Sequence, residues 1–181
     1  MESKGFTLIE LIAVTAIFSI VLITATDIFV SIIKQQRRTL QQQELLNQTS
    51  YVFEYMGRAI RMAKVDNSPV CLSAAGENYE VTHDGSGIKF INHSDNDSCQ
   101  EFFVDDIDGR LKESKNGGTA LPLMSDAVKI IYFKFKTFGA SSFDLFQPRV
   151  VISAEVETIG TDNPVKKQIQ TTISQRNLDG S

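Results

Sequence analysis

The chain has 181 residues, 42% of them hydrophobic, and 18 basic against 22 acidic residues give it a formal net charge of −4. That length suits one domain of ordinary size with a real core, and the mild acidity, with no basic stripe, does not point to nucleic acid. Two cysteines, two histidines and no tryptophan leave no zinc spacing to read.

The hydropathy is uneven. Phe6 to Ile33 is nearly all apolar, broken only by Glu10, Asp27 and a few Ser and Thr, and Leu11 to Thr26 carries no charge. After Lys34 the chain turns water-soluble in character, so the expected architecture is a hydrophobic N-terminal anchor carrying a soluble body. A secretory signal peptide fits poorly: MESK sets one Lys against one Glu, the apolar run is too long, and ITATD is a poor cleavage site. A plain membrane anchor needs about 20 apolar residues, and Phe6–Ile33 supplies them only if both acids are tolerated. An acid in lipid is costly and marks function by default. Lys34, Arg37 and Arg38 on the C-terminal flank would, by charge alone, hold the body in the cytoplasm.

The order of residues is more specific. KGFTLIELI, residues 4–12, resembles the class III signal of type IV pilins and pseudopilins. The resemblance implies that a prepilin peptidase removes residues 1–5 as a leader by cutting between Gly5 and Phe6, and that Phe6 is then N-methylated. Glu10 becomes the fifth mature residue and serves filament assembly. It would offset the new cationic amine of a neighbouring Phe6, because either charge alone is expensive in a low-dielectric filament core. The family is inserted in the inner membrane with its body outside, and the motif takes precedence over the flanking charges. The absence of Pro before Pro69, and Asp27 at its depth, separate the chain from major pilins and lean toward a minor pilin or pseudopilin. Asp27 either faces a basic group of a neighbouring subunit or marks the end of the lipid-buried part.

Lys34 to Ala63 has no Pro and is rich in good helix formers, so the 6–33 membrane and assembly helix is expected to continue through an amphipathic 34–65 segment. Its polar start, KQQRRTLQQQE, gives way to Leu45, Thr49, Val52, Met56, Ile60 and Ala63 at helical spacing. The cleaved helix Phe6–Ala63 would be roughly 85–90 Å long at about 1.5 Å per residue, with DNSP, residues 66–69, as its stop.

Residues 66–181 read as a β-rich head. YEVTHDGSGIKFIN and QEFFVDDIDGRL give strand pairs around Gly-containing turns. Residues 128–138 form the strongest strand, with Ile131, Phe133 and Phe135 expected on one face and Tyr132, Lys134 and Lys136 on the other. Residues 148–159 alternate with Val150, Ile152, Ala154 and Val156 inward, and 165–174 close the series. Long loops are expected around 112–127 and 139–147. The fold class is α+β, a long N-terminal helix packed on an antiparallel sheet, which is the type IV pilin-like arrangement. The resemblance also places the head outside the membrane, where disulfides persist; it therefore implies a Cys71–Cys99 bridge, for which loop entropy assigns roughly 3 kcal/mol.

No phosphate loop, nucleophile elbow or cofactor motif is present. Ser142 and Ser153 lack suggestive neighbours, and His83 and His93 sit in polar loops. The acids of HSDNDSC and VDDIDG read as turns rather than a calcium site, since they miss the spacing of a calcium loop. Tyr132, Lys134 and Lys136 are too few cations for a DNA face. The resulting expectation is a minor pilin or pseudopilin that works by assembly, not catalysis, with prepilin peptidase and other pilin subunits as partners, and that ends in an extracellular or periplasmic filament. The alternatives are a J-type minor pseudopilin of type II secretion, and a membrane-anchored adhesin or DNA receptor that never polymerises.

Overall fold

The computed structural model describes residues 5, 7–141, 146–160 and 164–176; Lys4, Phe6 and Ser142, named above, lie outside them. Contacts divide the chain into two units, Met1–Gln42 and Gln43–Ser181.

The first unit is the apolar part of helix α1 (Leu8–Arg61). Its best window has a mean hydropathy of 2.5 and is not buried within the protein. Leu8, Ile9, Leu11, Ile17 and Phe18 are all at least 60% exposed, so the segment is apolar on every side, as a helix is when lipid or other helices surround it. Several of its hydroxyls are satisfied inside the helix. Thr15 donates to the Ile12 carbonyl at 3.0 Å, Ser19 to Thr15 at 2.8 Å and Thr26 to Leu22 at 2.8 Å, which leaves no hydroxyl of these three to be hydrated in hydrocarbon.

In the second unit α1 becomes one-sided. Leu45, Thr49, Val52, Met56 and Ile60 are buried, followed by Ala63, matching the predicted stripe. The helix ends at Arg61, two residues before the expected Ala63, and Ala63–Lys64 form β1 instead. Donors from distant segments capture the last carbonyls. Tyr79 Oη donates to Ile60 O at 2.7 Å, the Arg176 amide to Arg61 O at 2.8 Å and the His93 amide to Met62 O at 3.0 Å. A helix terminus must place its orphan carbonyls somewhere, and here tertiary contacts decide where.

Among the described residues the strands form two antiparallel sheets rather than the single expected one. The first holds β1, β2 (Glu80–Thr82), β3 (Gly87–Asn92), β4 (Ser98–Val104), β5 (Leu111–Lys115) and β6 (Leu121–Pro122), in the order β1-β3-β4-β5-β6 with β2 also on β3. Strands β5 and β6 occupy part of the predicted 112–127 loop. The second sheet is β7 (Val128–Phe138), β8 (Arg149–Thr158) and β9 (Lys166–Ser174) in sequence order.

In β8 the alternation holds, with Val150, Ile152, Ala154 and Val156 buried. In β7 it breaks. The register to β8 shifts between Ile130 and Tyr132, leaving Ile131 42% exposed while Phe133 and Phe135 remain buried. Ile131 is the residue that the bulge inserts, and it falls on the outer face beside Tyr132 while Ile130 packs against the core. The core joins Val52, Met56 and Ile60 of α1 to Phe90, Phe102, Phe133, Phe135 and Ile152 of the sheets.

Candidate functional site

Helix α1 starts one residue after Thr7, and Glu10 lies in its first turn. The Glu10 Oε2 accepts from the Thr7 amide at 3.0 Å and from the Thr7 hydroxyl at 2.9 Å, while Thr7 Oγ1 lies 3.4 Å from the Glu10 amide. This is a capping box: Thr at the N-cap and Glu three residues on each serve an amide that the helix start leaves without a partner. The carboxylate also lies at the positive end of the helix dipole. Thr7 is thus a site residue that the sequence reading missed, although the spacing T-L-I-E carries the signal.

Both oxygens of the acid are not used alike. Among the described residues, Oε2 takes both Thr7 donors and Oε1 takes none. One oxygen thus fixes the side chain at the helix tip.

Gly5 is exposed, and a Cβ built there would meet nothing within 4 Å. The fold itself therefore places no steric demand for glycine at this position. Phe6, expected to bear the new amine, lies outside the described residues.

In the head, Cys71 and Cys99 form the expected disulfide, with their Cα atoms 5.4 Å apart. The loop that brings Cys71 there is organised by Asp66, which is 3% exposed. Its Oδ2 accepts from the amides of Cys71 and Leu72 at 2.9 Å each and Val70 at 3.2 Å, and Oδ1 accepts from Ser68 at 3.2 Å. Burial pushes the Asp66 carboxyl upward, but the four amides outweigh it and hold it below the usual carboxylate range. The segment DNSP, expected only as a helix stop, is where this anchor begins.

The other candidates resolve into structure. In VDDIDG, Lys112 Nζ bonds Asp105 at 2.5 Å and Asp108 at 2.7 Å, and those hydrogen bonds hold both acids below their ordinary range. In HSDNDSC, Lys115 takes Asp95 and Lys64 takes Asp97. His83 stacks on Phe103 with centroids 4.5 Å apart, and His93 bonds Asp97 at 2.8 Å. Lys134 donates to the Asp84 carbonyl, and Lys136 lies over the Phe138 ring.

Residues 1–26 fit the prokaryotic N-terminal methylation motif. No curated protein and no solved structure matches the chain. The methylation motif, the apolar helix that begins within it and the head of antiparallel sheets are consistent with a type IV pilin-like prepilin.

Proposed function

We propose that the chain is a minor pilin or pseudopilin: a membrane-anchored precursor that prepilin peptidase cuts between Gly5 and Phe6, methylates on Phe6, and releases for assembly with other pilin subunits. It works by assembly rather than catalysis, with the head outside the membrane. The observation that carries this is the capped helix start, where Glu10 is fixed by Thr7 through one oxygen and the other has no partner among the described residues. A cationic amine on a neighbouring Phe6 would supply the charge that this carboxylate needs in an apolar filament core. The glycine before the cut, which no contact within the fold requires, is accounted for by an outside reader such as the peptidase.

Mass spectrometry of the N-terminus, from cells with and without prepilin peptidase, tests this reading. The expected result is an N-methylated Phe6 that appears only with the peptidase. An intact Met1, or a cut near Ala25, overturns it and leaves a membrane-anchored or secreted β-rich module.

A further inference from the structure

Asp27 is the other acid of the apolar segment. It is exposed, and unlike the hydroxyls around it, it has no hydrogen bond or ion pair among the described residues. Its own helix offers no cation, since Ile23, Thr24, Val30 and Ser31 occupy the positions three and four residues away, where helix neighbours meet. The nearest cations along the helix are Lys34, Arg37 and Arg38, all exposed and, among the described residues, without a side-chain partner. At about 100° and 1.5 Å per residue they stand roughly 10–17 Å further along the axis. Lys34 and Arg38 fall within about 20° of the Asp27 stripe and Arg37 about 80° to one side. They are too far along to reach Asp27 in the same chain, yet they span the face that a second helix bearing Asp27 would meet.

Two identical helices inserted in the same direction make this selective. Set flush, they oppose Asp27 to Asp27 and the three cations to themselves, which repels. Set staggered, they bring the Asp27 of the raised copy to the cations of the lower one. Helical side chains lean toward the N-terminus, and the long Lys and Arg stems shorten the required stagger to about 6–12 Å. Placing the Phe6 amine of the raised copy beside Glu10 of the lower one needs four residues, or about 6 Å, in the same direction. One displacement therefore meets both pairings.

We infer that Asp27 is a register contact for a second copy of this chain, meeting its Lys34, Arg37 and Arg38 in a staggered parallel pair. This rests on the assembly reading above. An unpaired acid at this depth is costly, so the staggered pair is favoured and the flush pair is disfavoured by the same charges.

The test uses the full chain as two differently tagged copies in membranes that contain prepilin peptidase, with co-isolation after brief amine-independent photocrosslinking. Asp27→Asn, which removes the charge without hindering insertion, is expected to lower co-isolation about fivefold, and Asp27→Lys about tenfold. A copy with Asp27→Lys paired with a copy carrying Lys34→Asp is expected to recover most of the lost co-isolation. Asp27→Asn at full co-isolation, or no rescue by Lys34→Asp, overturns the inference. Glu10→Gln run in parallel separates the two levels. If it abolishes co-isolation while Asp27→Asn does not, the register contact fails and assembly stands. If the unsubstituted copies neither co-isolate nor lose residues 1–5, the assembly reading fails, and the inference with it.

Discussion

The backbone amide of Cys71 donates to Asp66 Oδ2 at 2.9 Å, so the carboxylate that orders the loop also holds one end of the head's disulfide. Replacing Asp66 with Asn turns one acceptor oxygen into a donor facing amide donors. The expected cost is about 2–3 kcal/mol of head stability, together with slower formation of the Cys71–Cys99 bond. Thermal unfolding and timed thiol trapping of the full chain in detergent measure both; an unchanged melting temperature argues against the anchor.

The same residue sets an acid limit. Its folded pKa is lowered, so the stability it contributes is present in full above the unfolded value of about 4 and is lost as pH falls through the folded value. Unfolding midpoints should hold steady from about pH 7 to 5 and drop below about pH 4. In Asp66→Asn that acid-dependent drop should be smaller.

Reducing the disulfide, or substituting Cys99→Ser, should cost roughly 3 kcal/mol and lower the melting temperature of the head by about 6–12 °C. Apolar packing elsewhere in the head is untouched, so cooperative unfolding should remain.

Tyr79→Phe removes the hydroxyl that caps Ile60 O at 2.7 Å and leaves the ring between α1 and Phe90. About 1–2 kcal/mol of destabilisation is expected. Amide exchange should rise first in the last turn of α1, where the carbonyl has lost its donor; a uniform rise across the head would contradict this.

Thr7→Val keeps the shape of the N-cap and removes its hydroxyl. Exchange protection in the first turn of α1, from Leu8 to Leu11, should fall several-fold in micelles, since a lost cap frays the helix start. Thr7→Ser should restore it. Cleavage after Gly5 should persist in both, because the capping contacts involve only Thr7 and Glu10.

Where one periodicity governs a segment, the sequence was a good guide. The stripe from Leu45 to Ala63 and the alternation in β8 are set by one face meeting one core, and both are seen. The boundaries of β7 are those expected. The misses fall where a distant partner decides. At the end of helix α1 Tyr79 and Arg176 take the Ile60 and Arg61 carbonyls, and His93 takes that of Met62 just beyond; none of these is near in sequence. Ile131 faces outward because β8 imposes a bulge. Strands β1 and β6 have two residues each, too short for any periodicity. At the candidate site, Glu10 stood out as an acid in an apolar run, while the roles expected of Gly5 and Glu10 came from the family resemblance. Thr7 was legible from local chemistry as the first member of a capping box. The role of Asp66 was not, since four amides converge on it only after the loop has closed.

The mooring of α1 also has a timetable. Gln175 Nε2 donates to the Ala63 carbonyl at 2.7 Å across 112 residues of chain. A ribosome adding about 5–20 residues per second takes roughly 6–22 s to travel from one to the other. Throughout that interval the apolar helix can already be entering the bilayer, while the end nearest the head has none of the clasp that Gln175 and Arg176 supply. The last of the contacts that hold the head end of the helix is thus available only once translation has moved past Arg176.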